Sequence, residues 1–370
     1  MESRIKSEPS EYSAAQIHDY LCHISFPNPP SIRDIEEKSF ECTVENLRTM
    51  TRLNRLTFPF ENTAMHYSPE HVIHTSPQEV FDWMVTKNRG YGSHCCGLGI
   101  LVLGVLRGLG YRAYPSLGQW NAALAQPEGY VPAPRAHMFL FVQTDLSPET
   151  FIVDCGGGPT GPVGTMILRD GEVLSGTAPP EEFRIVHRPP LEPPPANETN
   201  FEWMMEMRCG SFMPTWRVLF RFSFEPASTE EIESMNRFLT QRKESKMFWN
   251  DVFCVSYFFV DKTVKMSDPA AMEAHLGKLV LTGGKVSRRI GDNIEMLKEV
   301  KTERERVQAL EEYFGVVIDE EDVVNIAGRF PQLPFDLTDD IPTNGTALGL
   351  YTPSESVQKL PDDSNSANAR

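Results

Sequence analysis

Basic residues are scarce in this chain. Lysine and arginine number 35 against 51 aspartates and glutamates, for a formal net charge of −16 and a pI near 5.1. With no basic stripe, nucleic acid and anionic membrane surfaces are not expected as partners. Long apolar runs are missing too. The run from Leu98 to Leu106 is broken by glycines and falls well short of the roughly 20 residues that span a bilayer. Met1 to Tyr12 is charged and lacks the apolar core of a secretory signal, so a cytoplasmic protein is expected. Cysteine is present without a pairing pattern: seven residues, two of them adjacent, and no paired metal-ligand spacing. An odd count excludes a fully paired disulfide framework. No second Cys/His cluster is there to complete a metal site around His94, Cys95 and Cys96, so no metal is expected and a reduced chain fits best. No internal repeat is visible, which argues against a solenoid or propeller.

What is present is a chain of 370 residues, enough for two or three segments around a shared core. Residues 1–11 are polar and expected to be loose. Residues 12–107 read mainly as helix. The stretch Tyr12 to Leu21 has a serine near its start and apolar residues three and four apart. Ser76-Pro77-Gln78-Glu79 carries an N-cap serine, a proline at the first helical position and a glutamate before an apolar stripe. Residues 108–225 read as strands, at Arg112 to Leu117, His137 to Val142, Phe151 to Asp154 and Trp216 to Phe224. The Pro-rich run Arg188 to Pro195 reads as an extended surface loop. Residues 226–332 alternate helix and strand: helix from Ser228 to Leu239, strands near Phe253 to Phe259 and Lys278 to Thr282, and helix from Glu303 to Phe314. Residues 333–370 are rich in Asp, Ser, Asn and Thr, a composition that predicts disorder.

Three short segments each end on a residue that cysteine acyl-transfer chemistry requires. Cys95 stands where the Gly-rich turn Arg89 to His94 meets an apolar helix with Gly108 and Gly110 as stop signals. His137 opens one strand and Asp154 closes the next, with Asp145-Leu146-Ser147-Pro148-Glu149 as the turn between them. In an antiparallel hairpin the start of one strand lies beside the end of the other, so His137 and Asp154 are expected to be neighbours. A thiol near pKa ~8.5 is mostly protonated at neutral pH; a helix N-terminus and an adjacent imidazolium both favour the thiolate. Free N–H groups at that helix start could also serve an oxyanion hole. The set reads as nucleophile, base and orienter.

With those residues in view, the chain resembles the arylamine N-acetyltransferases. Arg55-Leu56-Thr57-Phe58-Pro59-Phe60-Glu61-Asn62 followed by His66-Tyr67 is similar to that family's PFENxxxHY segment. Phe151-Ile152-Val153-Asp154-Cys155-Gly156 is similar to its YIVDxG segment, and the spacing from Cys95 to Leu109-Gly110-Tyr111 also matches. The wording around Leu106 to Tyr114 looks most like homologues from filamentous fungi. The resemblance spans about residues 12–330. It implies an α+β protein with an N-terminal helical bundle, a central antiparallel β-barrel-like domain and a C-terminal α/β lid around a cysteine-protease-like Cys-His-Asp core. It further implies that Cys95 accepts the acyl group, that His137 is the base, and that Asp154 is its partner. Ser245 and Phe248 would lie near the cleft for acyl-CoA, the co-substrate, with a small arylamine as acceptor and a monomer as the acting form. Arg288-Arg289 and Lys301 to Arg306 are candidates for the CoA phosphates, or else a solvated charged face. The chain departs from the family's RGGxC turn, because Arg89-Gly90 stands two residues further from Cys95 and aligning from the arginine would put Ser93 at the nucleophile's place. Gly157 replaces an aromatic residue, which suggests a wider acceptor pocket. The activity implied is acyl transfer to arylamines, arylhydroxylamines or hydrazines in xenobiotic detoxification, with acetyl-CoA as donor. The alternatives are malonyl transfer to aminophenols, a papain- or transglutaminase-like hydrolase, and an inactive scaffold of the same fold.

Overall fold

The computed structural model describes residues 4–124, 130–189, 201–211 and 213–335. Its first third is helical: Ala14–His23, Ile32–Glu36, Val44–Thr57, Thr63–Tyr67, Pro77–Phe81 and Cys95–Leu109. Ser13 begins the first of these with a full capping box to Gln16. The Pro77–Phe81 helix is shorter than its apolar stripe suggests. It passes into a wider π turn over Asp82–Thr86, and the Ser76 side chain makes no capping bond. Cys95–Leu109 is buried along nearly its whole length and ends at Gly110, whose φ of +110° favours glycine; Gly108 lies inside the helix rather than ending it.

The middle of the chain forms an eight-stranded antiparallel sheet. In spatial order its strands are Met166–Ile167, Thr150–Val153, Pro132–Gln143, Arg112–Asn121, Met213–Phe222, Glu202–Cys209, Glu181–Arg188 and Val173–Ser175. Met166 near one end of this order and Phe183 and Ile185 near the other share one core with Phe139, Phe141 and Phe220, so the sheet curls into a barrel-like form. The strand faces alternate: Met138, Leu140 and Val142 turn the other way, into the core that buries the Cys95–Leu109 helix.

The third segment builds a five-stranded antiparallel sheet in the order Phe60–Glu61, Phe253–Phe259, Leu276–Thr282, Lys285–Ile290 and Asn293–Glu299. The helices Thr229–Gln241 and Glu303–Phe314 precede and follow its last four strands in the chain. Its first strand comes from the N-terminal segment, so this sheet crosses the boundary drawn at residue 226. The described residues form one compact unit.

Two stretches differ from their composition. Residues 4–11 have no regular structure but are tied down: Ile5 is buried and donates its N–H to Gln143 Oε1 at 2.7 Å, and Ser10 Oγ donates to the Gly104 carbonyl at 2.7 Å. Leu333 and Phe335 pack on the core under the last helix, and the Leu333 N–H donates to Glu303 Oε1 at 2.6 Å. The predicted tail beyond 335 and the Pro-rich run from 190 lie outside the described residues.

Candidate active site

Cys95 is the first residue of its helix and is buried. The hairpin register sets Leu140 against Val153 and Gln143 against Thr150, which carries the chain on to bring Asp154 to the side of His137. His137 sits inside the strand Pro132–Gln143 rather than at its start, and Asp154 immediately follows its own strand. The contact between them is direct. His137 Nε2 and Asp154 Oδ2 are 2.8 Å apart, both groups are buried, and the Gly156 N–H donates to Asp154 Oδ1 at 2.9 Å. The rings of Trp120 and Phe220 hold the imidazole, with centroids at 4.8 and 4.9 Å. Gly156 packs directly on Cys95: a Cβ there would overlap Cys95 Cα and Cβ, so only glycine lets the loop after Asp154 cross the helix start.

The electrostatics of these residues agree with their geometry. A hydrogen bond with the Cys96 thiol, opposed by burial and reinforced by His137, holds the Cys95 thiol well below its ordinary range. Cys96 moves the opposite way, raised by burial and by its neighbour. Burial disfavours the His137 imidazolium, but the Asp154 carboxylate and then the Cys95 sulfur outweigh it and raise the group to about 10. Burial also works against the Asp154 charge, and His137, Arg55 and the Gly156 N–H overcome it, leaving that carboxyl below its usual value. The arrangement can hold a thiolate–imidazolium pair with a buried carboxylate behind it.

Several groups around this core, some in the PFEN-like segment and others without a mark in the sequence, hold it in place. Arg55 is fully buried. It donates from Nη1 to the Cys155 carbonyl at 2.9 Å and from Nη2 to the Pro162 carbonyl at 3.1 Å, and it lies over the Tyr257 ring at 5.1 Å. Tyr257 Oη donates to the Gly158 carbonyl at 2.6 Å, and Lys278 Nζ to the Pro159 carbonyl at 2.7 Å. The loop after Asp154 is thus held by three long side chains. Asn62 donates to the carbonyls of Asp251 and Phe248 and accepts from the Phe253 N–H, while Glu61 accepts from the Gly92 N–H at 3.2 Å. These bonds account for the PFEN-like segment: it links the turn before Cys95 to the third segment. The longer turn is accommodated by Gly90, with φ of +70°, lying against the backbone of Gly315, and by the Val317 N–H, which donates to the Arg89 carbonyl at 3.0 Å.

His94 is the N-cap of the Cys95 helix. Its Nδ1 accepts the Cys96 N–H at 3.1 Å, so that N–H is taken and is not among the free donors expected at the helix start. His94, Cys95 and Cys96 place three potential ligand atoms within 4.8 Å of one another, but both nitrogens of His94 are already hydrogen-bonded, Nε2 to Asn236 Oδ1 at 2.7 Å. Phe248 is buried with its ring edge-on to His94, at 5.7 Å between centroids. Ser245 is half-buried in an otherwise exposed turn and bonds back to the Arg242 carbonyl at 2.7 Å. Two of the basic candidates have partners within the fold. Arg288 pairs with Glu295, and Arg306 is fully buried between Glu303 and the Tyr67 hydroxyl. Gly157 opens no space either, because a Cβ there would overlap Gly161 Cα.

A family model described as N-acetyltransferase matches residues 43–323. The chain belongs to the arylamine N-acetyltransferase family. It is 29% identical over 336 residues to the N-malonyltransferase FDB2 of Fusarium pseudograminearum, covering 85% of this chain and 92% of that one. In fold it is similar to the arylamine N-acetyltransferase of Mycobacterium abscessus, with a TM-score of 0.65, 17% identity, and coverage of 86% of this chain and 97% of that chain. The Mycobacterium marinum arylamine N-acetyltransferase in complex with CoA gives a TM-score of 0.62 at 18% identity, covering 85% of this chain and 96% of that one. The chain is therefore an acyltransferase of a family that takes acyl-CoA as co-substrate and small molecules as acceptors. No helix among the described residues is long and apolar enough to cross a membrane.

Proposed function

We propose that the protein moves an acyl group from acyl-CoA to an aromatic amine, hydroxylamine or hydrazine through a thioester on Cys95. The carrying observation is the buried line from the Cys95 helix start through His137 to Asp154. In the first half-reaction the Cys95 thiolate attacks the thioester carbonyl, a tetrahedral oxyanion forms, and the C–S bond to CoA breaks while the His137 imidazolium protonates the departing thiolate. In the second half-reaction the amine lone pair attacks acyl-Cys95. His137 takes the proton released from nitrogen, and the Cys95 thiolate leaves as the amide forms. Asp154 orients the ring and stabilises its charged form throughout. Ser245 and Phe248 are proposed to border the acyl-CoA cleft, with Phe248 reaching it beside His94. The free thiols at seven positions suit a reducing cytoplasm and a detoxifying role there.

Acetyl-CoA is the first donor to consider. Malonyl-CoA is the second, favoured by the likeness to the Fusarium N-malonyltransferase. CoA release by the purified protein with acetyl-, propionyl- and malonyl-CoA against one arylamine separates them. Parallel double-reciprocal lines support the two-step route, whereas intersecting lines without a burst of CoA would mean direct transfer in a ternary complex and remove the nucleophilic role from Cys95.

A further inference from the structure

His94 precedes the proposed nucleophile and is fully buried, and histidine is not among the residues that usually cap helices. Its state follows from its neighbours. The Ile73 carbonyl can only accept a hydrogen bond, so the Asn236 group 2.8 Å from it is the amide NH2. The carboxamide oxygen then faces His94 Nε2 at 2.7 Å, which places the ring proton on Nε2. Nδ1 is left bare and accepts the Cys96 N–H at 3.1 Å. A proton on Nδ1 would point at that N–H and break the cap. The titratable groups facing His94 are the thiols of Cys95 and Cys96 and, beyond Cys95, His137; Glu61 is engaged by Gly92 two residues upstream. The helix Thr229–Gln241 presents Asn236 to it, and the turn before Phe253 presents the Phe248 ring, both uncharged.

The chain of bonds therefore runs from Ile73 in the first segment through Asn236 in the third to the residue before Cys95. We propose that His94 and Asn236 are positioning residues: a neutral Nε2–H imidazole, anchored by Asn236, fixes the start of the helix and thereby the aim of the Cys95 sulfur. His94 touches neither acyl group nor amine in this scheme. The inference rests on the Cys95 thioester reading, and its test reads the sulfur separately from acyl transfer.

The test uses the full chain and its His94→Leu, His94→Asn and Asn236→Leu variants. Three measurements are made: histidine 15N NMR, the rate of Cys95 alkylation by iodoacetamide mapped by peptide mass spectrometry, and kcat and KM for CoA release. The histidine signal that disappears in His94→Asn should be that of an Nε2–H tautomer. In folded protein, His94→Leu should alkylate Cys95 about tenfold more slowly, the scale of one lost capping bond, and Asn236→Leu, which keeps the cap and loses its anchor, about threefold more slowly, with kcat falling and the KM for amine unchanged in both. His94→Asn keeps a capping oxygen without the reach to Asn236 and should lose only about threefold. A purely structural role would lower the melting temperature equally in all three without this graded rescue. An Nδ1–H or doubly protonated His94, or wild-type alkylation in Asn236→Leu, overturns the proposal even if His94→Leu fails to fold. A wild-type chain that alkylates at Cys95 yet forms no acyl adduct would instead remove the thioester reading.

Discussion

Replacing Asp154 by asparagine probes the site at its most determined bond. Both groups that face this carboxylate are N–H donors: His137 Nε2 at 2.8 Å and the Gly156 N–H at 2.9 Å. Asparagine offers one oxygen, so its NH2 must point at one of the two. With the oxygen on Gly156, the NH2 faces the imidazole and drives its proton to Nδ1, where a neutral N–H faces Cys95. The structure also gives a magnitude. Against the burial that disfavours the charged ring, Asp154 and then the Cys95 sulfur raise His137 from 6.5 to about 10, a net preference for the imidazolium of about 5 kcal/mol at about 1.4 kcal/mol per pH unit. Losing most of that should slow acyl-enzyme formation by about 10³- to 10⁴-fold, as neutralising the equivalent carboxylate does in serine hydrolase triads. The assay follows thioester loss in a single turnover, with circular dichroism confirming the fold. An Asp154→Asn protein that is folded and acylates within about tenfold of wild type would refute the argument and reduce Asp154 to a turn residue.

Because the Cys95 thiol is held low, its alkylation rate should stay level from near neutral pH to about 9, falling only as acid protonates the thiolate. A free thiol would instead gain about tenfold per pH unit up to ~8.5. Cys96→Ala removes the hydrogen bond that contributes most to this, so the acid limb should move to higher pH while the acyl group still loads on Cys95; an unshifted limb would deny Cys96 that part. Gly156→Ala drives a methyl group into the Cys95 backbone, and about 1–3 kcal/mol of stability and on the order of 100-fold in CoA release should be lost; thermal melting and burst kinetics check both. Arg55→Leu frees two buried carbonyls and removes a positive charge near Asp154, so denaturant unfolding should show a loss of about 3–5 kcal/mol, and a loss below about 1 kcal/mol would contradict the role given to this side chain.

What could be read in the sequence was local. The Glu303–Phe314 and Phe253–Phe259 elements match their patterns because apolar spacing and end signals lie within each element. The hairpin between His137 and Asp154 follows from one turn between two short apolar strands, and so their contact at 2.8 Å is legible from the sequence. The remainder depends on partners distant in the chain. The strands Glu181–Arg188, Glu202–Cys209 and Asn293–Glu299 mix charged residues with apolar ones, so their apolar pattern is short or interrupted and their pairing is evident only from the neighbouring strands. Arg306 reads as a phosphate ligand or a solvated charge, and Arg55 as part of a motif without a stated role, until their carbonyl, phenol and carboxylate partners are assembled around them. Ile5 shows the same from the apolar side: one buried residue holds down an otherwise polar terminus. In the sequence His94 stands out as the residue beside the nucleophile and as an incomplete metal ligand set, because its cap and its link to Asn236 exist only once three segments have met.

Mixing the enzyme with acyl-CoA in the absence of amine, then measuring free CoA and the intact mass, tests the central claim most directly. The account predicts a burst of CoA stoichiometric with enzyme and one acyl adduct, mapped to Cys95 within its peptide and discharged by added arylamine. An adduct on Cys96, or CoA release with no covalent adduct at all, would contradict it.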